Sequence, residues 1–204
     1  MPNPTFFNLA EEKRRELIRA AYQEFSRAPF AEALIANIVK SAGISRGSFY
    51  QYFEDKEDLY FYLLNKHAEK SKERFYKSLK ERDGDLMEAF VDMFQQMLEK
   101  FDNAEYRGFF QNTFLNMNHR IENTFTRSFD EGKYHAELVE ISEQVDREKI
   151  NFSSDKEFIH MVNMTRAITF RHMMKHFANQ ESSKEEAIED YRFDIELLKR
   201  GFSK

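Results

Sequence analysis

Residues 42–59 read AGISRGSFYQYFEDKEDL. A glycine at 43 can take the left-handed conformation that ends a helix, and Ser45 can cap the next one. With a short amphipathic helix over 34–41 before this corner and 45–52 after it, the stretch has the pattern of a helix-turn-helix, whose second helix enters the DNA major groove. Gly47 is the residue that packing does not explain, since glycine inside a helix costs about 0.5–1 kcal/mol relative to alanine. With Phe49 set toward the core, Gly47 and Gln51 point the opposite way and Tyr50 lies beside them. Phe49, Tyr50, Tyr52 and Phe53 spread around more than one face, so they cannot all be core; Phe49 and Phe53, four apart, fit that role. A position without a side chain lets the backbone come close to a partner. Ser45, Ser48, Tyr50, Tyr52 and Lys56 are donors suited to phosphate oxygens, and Arg46 and Gln51 suit guanine and adenine edges.

Around this stretch the chain reads as helical throughout. All three prolines lie within the first 29 of 204 residues. A small polar residue followed three positions later by an acid marks a helix start, and Asn8/Glu11, Asp85/Glu88, Ser154/Glu157 and Ser183/Glu186 fit that pattern. A first helix is expected over 8–26, and a long one over 55–82 would be about 40 Å from end to end. The expected architecture is all-α with about nine helices, divided into a helix-turn-helix domain over 1–54 and a helical domain over 55–204. Cysteine is absent, which excludes disulfides and thiolate metal sites. No signal peptide or membrane span is legible, and a cytoplasmic protein is expected. Residues 1–52 hold seven Lys/Arg and five Glu, a net of +2, so the whole-chain charge of −5 leaves −7 for the remainder. DNA should repel that acidic remainder and orient the basic end toward itself.

Ile38, Ala42-Gly43-Ile44-Ser45, Gly47, Tyr50, Phe53 and Lys56-Glu57-x-Leu59, preceded by an amphipathic helix, closely resemble the DNA-binding segment of the TetR family of bacterial repressors. That resemblance covers about residues 10–65. It implies a three-helix DNA-binding domain, a C-terminal helical domain that binds an inducer, and a homodimer. Carried onto this chain, it makes 45–52 the recognition helix, with Tyr50, Tyr52 and Lys56 on phosphates. It also implies dimerisation through the last two helices, roughly 154–179 and 184–202, with Ile168, Phe177, Tyr191, Ile195 and Leu198 at the interface. One departure is visible. Where the family places Ser or Thr at the start of the first motif helix, this chain has Ala33-Leu34, and neither side chain can cap it.

Residues 85–129 hold eight Phe and four Met. Such a density suits a deformable apolar pocket, for which Phe90, Met93, Phe94, Met97, Phe101, Phe110, Phe114 and Met117 are the candidates. The ligand would be an apolar or amphipathic small molecule, cationic if Glu88, Asp92 or Glu105 faced it. His172 and His176, four apart, could share a metal, but no third ligand is legible, and no cofactor is called for. No catalytic motif or phosphate-cradling glycine loop occurs, so an enzyme is not expected. The expectation is a repressor that binds a palindromic operator; the alternative is a protein-docking module on the same fold, for which Leu34 is the argument.

Overall fold

The computed structural model describes residues 1–116, 131–178 and 183–202. Among them are ten helices and no strand: α1 (Pro4–Phe7), α2 (Glu11–Arg27), α3 (Ile35–Ser41), α4 (Arg46–Tyr52), α5 (Lys56–Glu81), α6 (Leu86–Lys100), α7 (Ala104–Leu115), α8 (Glu131–Gln144), α9 (Asp155–Ala178) and α10 (Lys184–Phe202). The chain is all-α, as expected, and α1 lies outside the helices expected from the sequence. None of the described helices is long and apolar enough to cross a membrane.

Most of the capping signals are realised. Asp85 accepts from the amides of Met87 and Glu88 at 3.1 and 3.0 Å. Ser183 and Glu186 exchange two hydrogen bonds, each of 3.1 Å. At the start of α9, Ser154 accepts from the Glu157 amide while the Glu157 carboxylate reaches the Ser153 amide at 2.6 Å. The Asn8/Glu11 pair fails. Here α2 begins after Ala10 with no side-chain cap, because Pro4–Phe7 forms its own turn and takes Asn8 as that turn's end. Asn103 caps α7 through two amides, a start the sequence patterns had not marked.

Packing divides the chain into two compact units. One holds Met1–Ala68 and α7; the other holds Glu69–Glu99 with α8, α9 and α10. Helix α5 belongs to both. Its stripe is buried at Tyr60 and Leu64 and again at Phe75 and Leu79, and only half-buried at Ala68 and Ser71 between them.

In the first unit α7 packs on α2. Phe109 meets Tyr22, Phe25 and Tyr60 with ring centroids 5.3, 6.2 and 5.4 Å away. Asn112 donates to the carbonyls of Phe25 and Ser26, both at 2.9 Å, and so satisfies the end of α2. The Tyr60 hydroxyl pairs with Thr113 at 2.7 Å, and burial pushes its pKa up to about 12.

The second unit is built around Phe94 and Tyr191, 4.2 Å apart, with the Tyr191 hydroxyl on Thr169 at 2.7 Å. Its rim carries a bidentate Arg82–Asp92 pair at 2.7 Å, Arg192–Glu88 at 3.2 Å and Lys199–Asp85 at 3.1 Å. Among the described residues two glycines hold positive φ, at +63° for Gly43 and +74° for Gly84. Around Gly43 there is open space, whereas a Cβ on Gly84 would lie 2.6 Å from the Asp146 amide nitrogen and 2.7 Å from the Gln144 carbonyl oxygen. Gly43→Ala should therefore cost only the left-handed penalty of about 1–2 kcal/mol. Gly84→Ala must in addition displace backbone. Chemical denaturation of both variants should show the larger loss at Gly84, and equal losses would mean that the 144–146 turn yields freely.

Candidate nucleic-acid interface

The helix-turn-helix begins with an uncapped helix. Leu34 precedes α3 in extended conformation and offers no side-chain cap. A residue from α2 ties down the start of α3 by another route. The Glu24 carboxylate accepts from the Leu34 amide at 2.8 Å and from the Asn37 side chain at 3.1 Å, and takes a bidentate bond from Arg27 at 2.9 and 2.7 Å. Glu24 is only 5% exposed. Burial raises its pKa, but the bonds from Arg27, Leu34 and Asn37 outweigh that and hold it below the ordinary 4.5.

From the other side, the Lys56 ammonium donates to the carbonyls of Phe30, Ala31 and Ala33 at 2.6, 3.3 and 2.8 Å, and stands 4.7 Å from the Phe30 ring centroid. The phosphate role expected for Lys56 would compete with these bonds, which direct the half-buried ammonium at the turn before α3.

The corner is a Schellman turn. The Ile44 amide reaches back to the Val39 carbonyl at 3.1 Å and that of left-handed Gly43 to Lys40 at 3.4 Å. Ser45 then caps α4 by accepting from the Ser48 amide at 3.0 Å, and the two hydroxyls are 2.9 Å apart. Phe49 and Phe53 are fully buried. On the opposite face Ser45, Arg46, Gly47, Tyr50 and Gln51 are exposed, and Ser48 and Tyr52 are half-buried. Arg46 donates to the Tyr50 hydroxyl at 3.3 Å, one turn along. A Cβ on Gly47 would meet only the Ser45 hydroxyl oxygen, at 3.7 Å, which is ordinary contact. Nothing inside the fold calls for a glycine there.

The Phe/Met candidates are placed less simply. Phe90 and Phe94 are buried in the second unit, against Phe75 and Tyr191. Phe101, Phe110 and Phe114 are buried in the first, with Phe110 5.2 Å from Phe101 and 6.1 Å from Phe114. Met93 and Met97 are half-buried, and Met117 lies outside the described residues. Glu88, Asp92 and Glu105 hold protein partners, namely Arg192, Arg82 and Gln23. A concavity of about 530 Å³ lies elsewhere in the second unit, lined by Asn151, Ser154, His160, Met161 and Met164 among others.

Three of the five dimer candidates are turned inward. Phe177, Tyr191 and Ile195 are buried in their own unit, at 3%, 0% and 1% exposed, and Ile168 and Leu198 are half-buried. Among the described residues, the large apolar side chains open on these helices are Met164, Phe193 and Leu197, at 45%, 64% and 49% exposed. Phe193 and Leu197 lie four apart on an otherwise charged face. His172 gives its Nε2 to Asp194 at 2.8 Å. Among the described residues no three His, Cys, Asp or Glu side chains gather to hold a metal.

An all-helical chain that presents a capped, glycine-bearing recognition helix is a helix-turn-helix regulator in form. Residues 17–63 match the family model described as "Bacterial regulatory proteins, tetR family", and residues 85–202 match "Tetracyclin repressor-like, C-terminal domain". The chain belongs to the TetR family of DNA-binding transcriptional regulators. It is 43% identical over 53 residues to the uncharacterized HTH-type transcriptional regulator YdgC of Bacillus subtilis, covering 26% of this chain and 27% of that one. Over 56 residues it is 41% identical to the HTH-type transcriptional regulator HbdR of Aromatoleum sp., covering 28% and 24%. The match thus spans about a quarter of each curated relative. Among solved structures, the fatty acid degradation regulator FadR of Bacillus halodurans has a TM-score of 0.71 at 17% identity, over 95% of this chain and 97% of that one. FadR from Bacillus subtilis in complex with stearoyl-CoA has a TM-score of 0.67 at 16% identity, over 92% and 98%. These likenesses show the fold.

Gly47→Ala should stabilise the free protein by about 0.5–1 kcal/mol while weakening DNA binding. Melting curves and fluorescence anisotropy on one preparation test both halves, and a variant that gains stability without losing affinity would leave the glycine without a partner. For Glu24 the folded pKa lies below the unfolded one, so its contribution is complete above the unfolded carboxylate range and is lost as pH falls through the depressed value. Glu24→Gln should be less stable at neutral pH, and the difference from the parent should shrink toward acid. A difference independent of pH would contradict the charged clamp.

Proposed function

We propose that this protein is a homodimeric, cytoplasmic repressor that lays α4 of each subunit in the major groove at the two halves of a palindromic operator and is released by an apolar or amphipathic small molecule. The observation that carries this reading is the open Gly47 face of α4, where the fold leaves room that it does not itself use. In this reading Arg46 and Gln51 read base edges, and Ser45, Ser48, Tyr50 and Tyr52 hold phosphates. Lys56 serves by fixing the turn before α3. The dimer forms through Met164, Phe193 and Leu197, since burying one such side chain is worth about 1.5–3 kcal/mol. For the ligand, the Phe/Met-rich composition and a like-folded neighbour that holds stearoyl-CoA make long-chain acyl compounds the first class to test. Helix α5 runs from the Lys56 turn into the second unit, so a ligand that tilts it would change the separation of the two α4 helices. Operator and inducer then weaken each other by equal factors.

A gel shift on the protein's own upstream region, followed by titration of a randomised half-site library, tests the reading. Gln51→Ala should relax preference at one base pair per half-site by about 1–3 kcal/mol and leave the salt dependence alone. Phe193→Glu combined with Leu197→Glu should sediment as a monomer and lose about 10²-fold or more in operator affinity. A monomer that binds the full operator as tightly as the parent would refute the dimer.

A further inference from the structure

Helix α4 has seven residues, Arg46–Tyr52, too few to hold itself in water, and its last carbonyls have no acceptor role within the helix. The Phe53 amide donates to the Phe49 carbonyl at 2.9 Å, which leaves those of Tyr50, Gln51 and Tyr52. The last two are met by a segment more than forty residues earlier in the chain. The Asn3 amide donates to the Tyr52 carbonyl at 2.9 Å. The Asn3 side chain donates to the Gln51 carbonyl at 3.3 Å, and the Thr5 hydroxyl donates to that same oxygen. Phe6 anchors the segment. It is fully buried, with its ring centroid 4.8 Å from Phe53 and 5.2 Å from Tyr62 of α5. Pro4, at the first position of α1, presets the turn that aims Thr5 and Phe6.

Phe6 therefore supplies the burial that docks the segment, and Asn3 and Thr5 supply direction. We propose that Pro2–Phe7 is part of the DNA-reading head, with Asn3 and Thr5 acting as positioning residues for α4. This inference rests on the reading of α4 as the recognition helix. The clamped carbonyl belongs to Gln51, whose side chain stands exposed beside Gly47 on the open face. A helix this short moves as one piece, so releasing its end would swing Gln51 and Arg46 together. Base-edge hydrogen bonds are directional and suffer from such a swing, whereas phosphate contacts tolerate it.

The test uses the full chain with Thr5→Val, Asn3→Ala and the pair, and with Thr5→Ser as the conservative control. Two readouts are taken. Hydrogen exchange at the amides of Tyr50, Gln51, Tyr52 and Phe53 reports the brace without DNA. Titration of the randomised half-site library reports discrimination. The paired variant should keep the parent's melting temperature and salt slope to within error, exchange faster at those four amides, and lose about tenfold in discrimination, the scale of one base contact. Thr5→Ser should restore both readouts. Parent-like exchange, or parent-like discrimination despite faster exchange, would overturn the proposal. A parent that binds all half-sites alike would instead remove the recognition role of α4, and with it the positioning role, while exchange still shows whether the brace exists.

Discussion

The turn over 28–34 depends on two opposite charges that meet it from two helices. Its amide at Leu34 goes to Glu24 of α2, and its carbonyls at Phe30, Ala31 and Ala33 go to Lys56 of α5. Without these partners the turn would carry backbone polar groups with no helix to satisfy them. Arg27 balances the buried carboxylate, so the charge is paired rather than stranded. The position of α3, the Gly43 corner after it and the angle at which α4 leaves the body all follow from this double clamp.

What the clamp fixes, α4 displays. The helix spends Phe49 and Phe53 on the core and turns a glycine, an arginine, a tyrosine and a glutamine outward. Its start is capped by Ser45 and its end is held by Asn3 and Thr5, so a helix too short to be stable alone is tied down at both ends. Helix α7 joins this unit from far along the chain, through Phe109 and Asn112, so the reading head is completed by residues beyond the motif itself.

The helix-turn-helix was legible because its signals are local. Gly43 needs a left-handed φ, Ser45 needs a free amide three residues on, and Phe49 with Phe53 marks one face. The misses are non-local. Glu24 looks like any helical surface acid until Leu34 and Asn37 are brought to it, and Lys56 looks like a free cation until the turn folds onto it. The apolar faces of α9 and α10 were legible as faces, but not which part of them their own unit would consume. Tyr191 and Ile195 went inward, and Phe193 and Leu197 were left open. Helical periodicity gives a stripe's existence, whereas its width is decided by what packs on it.

In the proposed complex the Gly47 face of α4 lies against base edges in the major groove. Dimethyl sulfate footprinting on the operator selected from a random library tests this directly, because the reagent attacks guanine N7 in the major groove and adenine N3 in the minor. Two patches of guanine N7 protection are expected, symmetrically placed and at least about one helical turn apart, with adenine N3 left reactive. Protection confined to the minor groove, or a selected site whose guanines stay fully reactive under saturating protein, would contradict it.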